Sequence, residues 1–245
     1  MIDHYTWSGG AEAMLRFGPD QGPVVVAAMP LLEEANRTRA FVVTMLRRLA
    51  QLGIACALPD VPGQGESLVP LETLSILQMQ EAFAAAVAHV AANRSCYALS
   101  VRSGALLDAL SPLSGRWHMA PQDGPDLLRE LARIKGIKPS NAEPTDLWWF
   151  ADGADWAEDA DPPVEIAGSL ISTDLLTELT ARSRLAHAGD SDTPVRVVRL
   201  EGDPRPADVH FAGTPLWRRA EPDNDRSLAA LLADDIADWI QACEG

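Results

Sequence analysis

Three short apolar runs constrain the fold of this chain more than any other feature. Val24–Met29, Ile54–Leu58 and Ser95–Leu99 lack the polar alternation of a strand with one wet face. Strands apolar on both faces belong to parallel sheets covered by helices on either side. Helical patterns separate the runs. From Phe41 to Leu52, apolar residues at 42, 45, 46, 49 and 52 keep the spacing of one helix face, and Gly53 suits the residue beyond a helix end. Thr73–Ala92 is a long alanine-rich helical segment closed by Asn93 and Arg94. Gly104–Leu110 reads as a further helix, and Trp117–Ala120 as a short strand ended by Pro121. The resulting β-α-β-α-β-α-β order predicts an α/β protein with a doubly wound, mostly parallel sheet flanked by helices.

The remaining segments extend this plan. Glu12–Phe17 alternates enough for an edge strand, and Glu33–Arg39 reads as a polar loop. Pro125–Ile137 has the pattern of an amphipathic helix, and Ser140–Pro163 mixes carboxylates with Trp148, Trp149, Phe150 and Trp156. Residues 122–163 are therefore expected to form a helical, Trp-rich, cap-like insertion in a single domain spanning 1–245. Its tryptophans either pack it onto the core or line a pocket mouth. Val164–Ser172 resumes a strand-like run, followed by a helix over Thr173–Ala186 with Ser172 or Thr173 as cap. Val195–Leu200 is a strand, Leu216–Ala220 is expected to be the last one, and Asp225–Cys243 forms a final amphipathic helix.

Charge narrows the partners. A formal net charge of −15 over 245 residues argues against nucleic acid or an anionic membrane surface. The three cysteines show neither CxxC nor metal-ligand spacing, and Cys56 and Cys96 lie in apolar runs that predict core thiols. No metal or cofactor is expected. No apolar run approaches the roughly 18 residues of a membrane span, and the N-terminus lacks a signal-peptide pattern, so a cytoplasmic location is expected. The apolar final helix and a sheet edge permit a homodimer.

Four landmarks follow predicted parallel strands, where open α/β sheets bind ligands: residues 30–39, 59–67, 100–104 and 201–203. Together they resemble the α/β-hydrolase superfamily across nearly the whole chain. Within it, Glu33-Glu34-Ala35-Asn36-Arg37-Thr38-Arg39 and Ser100-Val101-Arg102-Ser103-Gly104-Ala105-Leu106-Leu107 are similar to signatures of the exosortase A system-associated hydrolases of the second type. That family is found beside exopolysaccharide and exosortase genes in bacteria. The resemblance implies an α/β-hydrolase fold and hydrolase activity. If the chain acts as an enzyme, a small-molecule ester, thioester or similar acyl substrate is expected.

The residues complicate that implication. In the hydrolase order the nucleophile precedes the acid and histidine comes last. Arg102 stands at the nucleophile position, and a guanidinium donates hydrogen bonds without accepting or attacking. Asp203, or Glu201 in another register, stands where the acid belongs, but no histidine follows His210. One rescue makes Ser100 or Ser103 a displaced nucleophile, with His210 reaching in from a loop before the last strand. Ser103 otherwise keeps a backbone role, and His4, His89, His118 and His187 have no partner pattern. A buried Arg102 needs a counter-ion. Glu33 or Glu34 can supply it, or Arg102 and Arg37 can hold an anionic ligand oriented by Asn36, with Arg39 facing solvent. Three readings stay open: a hydrolase with a degenerate triad, a catalytically silent protein holding a small anion or glycan-linked ligand, and a scaffold recognised through the acidic insertion.

Overall fold

The computed structural model describes residues 1–136, 162–182 and 193–245. Eight strands form one sheet, in the order β1-β2-β4-β3-β5-β6-β9-β10. They are β1 (Ile2–Trp7), β2 (Gly10–Phe17), β3 (Val24–Ala28), β4 (Ala55–Pro59), β5 (Cys96–Val101), β6 (Gly115–Met119), β9 (Val195–Leu200) and β10 (Val209–Phe211). The pairs from β4 through β10 are parallel, and β1 and β2 join antiparallel at one end. A separate hairpin comprises β7 (Val164–Ile166) and β8 (Ser169–Ile171). The described helices are α1 (Glu33–Gln51), α2 (Ile76–Ala91), α3 (Gly124–Ile134), α4 (Thr173–Ala181) and α5 (Arg226–Glu244).

The unalternating runs find their physical reason in two cores. Val24, Val26, Ala55, Ala57 and Ala98 face the core built with α2, α3 and α4. Their neighbours Val25, Ala27, Cys56, Leu58 and Leu99 face α1 and α5. Because successive side chains of a strand point to opposite faces, burial on both sides demands apolar residues at every position. Cys56 and Cys96 are buried as expected, and burial raises both thiol pKa values. Among the described residues no helix is long and apolar enough to cross a membrane.

Several expectations are corrected. Glu12–Phe17 is not the edge: β2 lies between β4 and the unanticipated β1, whose Tyr5 and Trp7 turn inward. Glu33–Arg39 is no loop but the first two turns of α1, where Glu34 and Thr38 are buried. The Thr73–Ala92 helix starts later, at Ile76, where Ser75 and Gln78 form a reciprocal cap. Gly104–Leu110 is not an α-helix. Arg102–Leu106 and Asp108–Leu110 are two short 3₁₀ turns, held where Asp108 reaches back to Ser100 and His118. Val164–Ser172 is a hairpin rather than one strand. Leu216–Arg218 is a 3₁₀ turn, so the last strand is β10 and His210 lies within it rather than in a loop before it. The expected helix after Ser172 ends at Ala181, and Ser172 caps it by accepting from the Leu175 N–H. Trp148, Trp149, Phe150, Trp156 and His187 lie outside the described residues.

Candidate functional site

The turn after β5 has the backbone of a nucleophile elbow. Arg102 sits at its apex with φ 55°, a left-handed conformation that is uncommon for a bulky residue and strained. Two residues on, a Cβ on Gly104 would stand 2.3 Å from the Ala28 carbonyl oxygen and 2.6 Å from that of Met29. Only glycine allows the elbow to approach the β3–α1 connection this closely.

Arg102 is almost fully buried, 5% exposed, and so is Glu34 at 3%. Its Nε donates to Glu34 Oε2 at 3.1 Å and Nη2 to Oε1 at 3.0 Å, a bidentate pair. Nη1 donates to the Ala120 carbonyl at 3.4 Å, and the guanidinium lies 4.7 Å from the ring centroid of Trp217. Of the two expected counter-ions it is therefore Glu34 that pairs. Glu33 is bound to Arg37 one turn along α1 at 3.2 Å, and Arg37 also donates to the Trp217 carbonyl at 3.2 Å. Asn36 is exposed on α1. Arg39, expected to face solvent, forms an ion pair with the buried Asp60 at 3.0 Å.

The proposed nucleophiles are otherwise engaged. The Ser103 hydroxyl accepts from the Leu31 N–H at 2.9 Å. The adjacent Leu32 N–H donates to Gln64 Oε1 at 2.9 Å. In hydrolases this connection contributes an N–H to the oxyanion hole; here both amides are satisfied by side chains. Ser100 is fully buried and donates to Asp108 Oδ2 at 2.6 Å. His210 is exposed, and its Nε2 lies 3.1 Å from the Asp203 carbonyl and 3.2 Å from that of Arg205. Neither serine hydroxyl bonds to it among the described residues.

Asp203 follows β9, as the acid position requires, but it serves cations. Its carboxylate accepts from Arg205 at 2.9 and 2.8 Å and from Arg199 at 2.8 Å. Hydrogen bonds from Arg205, with help from Arg199, hold its carboxyl well below the usual carboxylate range despite partial burial.

A cleft of about 640 Å³ opens over this region. Its floor includes Arg102, Ala120 and Gln122. One wall is a face of α3 bearing Asp126, Arg129, Glu130 and Arg133; the other comes from the residues after β9 and β10, including Asp203, Arg205, Trp217 and Arg218. Of the sequence-predicted residues, the cleft brings together Arg102 and Asp203 alone. Glu33, Asn36, Arg37, Ser100, Ser103 and His210 are outside its lining.

Sequence reasoning missed a second cluster. Arg116 and His118 of β6 and Ser100 of β5 project from the same face of paired strands onto Asp108. His118 Nε2 is 2.8 Å from Asp108 Oδ2, and Arg116 Nε is 3.5 Å from Oδ1. Burial opposes ionisation of Asp108, but His118, Ser100 and Arg116 together hold its carboxyl below the usual range. The arginine and histidine at alternate positions of an otherwise apolar strand were the available signal. A further miss is Trp217, which lies beyond the last strand, the part of a hydrolase chain that supplies histidine, and packs on Arg102.

No family model matches the chain, and no curated protein sequence matches it. Solved structures do. Est1E from Butyrivibrio proteoclasticus, described with ferulic acid bound, is 13% identical with a TM-score of 0.61, covering 98% of each chain. A loop variant of the haloalkane dehalogenase DbeA from Bradyrhizobium elkanii is 15% identical, TM-score 0.61, covering 100% of this chain and 97% of that one. A thioesterase domain from the curacin biosynthetic pathway is 15% identical, TM-score 0.53, covering 97% and 98%. With its strand order, its elbow and these likenesses, the chain has the α/β-hydrolase fold.

Proposed function

We propose that this chain binds a small anionic molecule in the cleft over its elbow and does not hydrolyse acyl substrates through a serine. The observation that carries the reading is Arg102 itself. It occupies the strained apex with its charge balanced by Glu34, and it lines the cleft. Nucleophilic catalysis needs a hydroxyl or thiol within reach of a base, and Ser100 and Ser103 are committed to Asp108 and to the Leu31 amide. A neighbour named as a thioesterase domain supports the rival reading, hydrolysis of an ester or thioester. Asp203 at the acid position favours that rival, but its carboxylate is held by two arginines rather than a histidine. The motif likeness to exosortase-associated hydrolases supports a place beside exopolysaccharide chemistry for either reading.

A fluorophosphonate probe and a panel of nitrophenyl acyl esters separate the two. The expected result is no labelled serine and no turnover above buffer. Labelling abolished by Ser103→Ala or Ser100→Ala would establish the serine-hydrolase reading instead. Thermal shift with phosphates and carboxylates tests binding, and Arg102→Met is expected to diminish every shift seen.

A further inference from the structure

The cleft's charge runs against that of the molecule. The chain carries a formal −15. Yet the described cleft lining holds five arginines, Arg102, Arg129, Arg133, Arg205 and Arg218, against three carboxylates, Asp126, Glu130 and Asp203. Five minus three leaves two positive charges on the lining, but one of them, on Arg102, is balanced by Glu34 from outside the lining, so one is uncompensated. A low-dielectric cleft lined by one sign of charge concentrates ligands of the other.

The arginines differ in how far they are engaged. Arg129 pairs with Asp126, Arg133 with Glu130, and Arg205 with Asp203 and, at 3.4 Å, Asp126. Arg218 is exposed, and its guanidinium forms no ion pair or hydrogen bond among the described residues. A guanidinium carries five N–H donors. On Arg102, Glu34 takes two and the Ala120 carbonyl a third, which leaves two in a group that lines the cleft. One sealed donor of another lining residue, Trp217 Nε1, also has no partner among the described residues. Buried polar atoms are seldom left so. Beside these groups lie Leu200, Pro204, Pro215 and the Trp217 ring, an apolar surface for an organic group.

We propose that the ligand is a phosphate monoester: a dianionic phosphoryl group meeting Arg102 and Arg218, with its organic part against the apolar wall. The proposal rests on the small-anion reading above and narrows it. A phosphate monoester carries close to two negative charges at neutral pH and three acceptor oxygens, which suits the two uncommitted donors of Arg102 together with the guanidinium of Arg218. A carboxylate brings one acceptor oxygen fewer and a single charge.

Calorimetric titration with phenyl phosphate, inorganic phosphate and benzoate, at pH 5.0 and 7.5, tests this. Phenyl phosphate should bind tightest, and its affinity should rise about tenfold between the two pH values as the second proton leaves near pH 6. Arg218→Gln, an exposed change that leaves the fold's packing intact, should weaken phenyl phosphate at least tenfold and benzoate much less. Benzoate binding as tightly as phenyl phosphate would overturn the phosphate class and leave the small-anion reading standing. Inorganic phosphate binding equally tightly would overturn the ester. Absence of binding by all three would overturn both the inference and the reading beneath it.

Discussion

Two buried arginine–carboxylate pairs, Arg116–Asp108 and Arg102–Glu34, differ in their surroundings. Arg116–Asp108 is sealed: Asp108 and His118 are wholly inaccessible, and Ser100 closes the remaining side. Arg102–Glu34 is nearly as buried, but Arg102 borders a cleft and keeps two N–H donors beyond those that Glu34 and Ala120 accept. Burial alone therefore does not distinguish a structural pair from a binding pair. Donors left over at the edge of accessible space do. The sealed cluster holds the segment after the elbow in two short 3₁₀ turns, and thereby holds the elbow. The bordering pair holds a strained arginine at the edge of the cleft, where the proposed anion would meet it.

The sharpest way to break this contrast is Asp108→Ala. It strands Arg116 without its counter-ion in the core and removes the partner of Ser100 and His118. Breaking a buried pair from one side costs about 3–5 kcal/mol, so urea denaturation should show a large fall in midpoint. A loss below about 1 kcal/mol would mean that the cluster is not what holds the 3₁₀ segment. The same residue sets a pH dependence. The Asp108 carboxyl is held below its unfolded range, as is that of Asp203, so both contribute stability at pH above about 4. That contribution is lost as pH falls through the lower folded values. Wild type should lose stability below about pH 4, and Asp108→Asn should show a flatter acid limb.

Glu34→Ala tests the other pair and should cost less, about 2–3 kcal/mol, because water in the cleft can partly hydrate Arg102. The double variant Glu34→Leu with Arg102→Met removes both charges and should recover most of that loss, since an apolar pair of similar size is often neutral. It should also lose anion binding. If Glu34→Ala costs as much as Asp108→Ala, the cleft does not hydrate Arg102 and the distinction between the pairs fails.

What could be read from the sequence follows the same division. The sheet was legible because Val24–Ala28 and Ala55–Pro59 are apolar at every position, which only two-sided burial explains. The elbow was legible from Gly104 and its neighbours, and the Arg102 counter-ion was narrowed to two glutamates. What failed had a common cause. Glu33–Arg39 looked like a loop because its side chains are polar, yet Glu34 is buried in a helix by pairing with a residue 68 positions away. Gly104–Leu110 looked helical from local spacing, but Asp108 is claimed by strand residues on either side of it in sequence. The cleft's arginines on α3 carried no signal at all, because their relevance arises only when α3 packs against α4 and the turn after β5 and so comes to line the cleft. Local pattern reports periodicity, and long-range ion pairs override it.

The smallest effect concerns Ser103, which touches neither pair. Its hydroxyl accepts the Leu31 amide in the connection that hydrolases use to hold an oxyanion. Ser103→Ala leaves that amide without its acceptor, at a cost of about 1–2 kcal/mol. Affinity for phenyl phosphate should stay within about twofold of wild type, a difference of under about 0.5 kcal/mol, because the cleft's donors belong to Arg102 and Arg218. A large loss of affinity at unchanged stability would move the ligand from the arginines to the Leu31 and Leu32 amides. The elbow would then be working as a hydrolase pocket does, with the anion in the oxyanion position and Arg102 behind it.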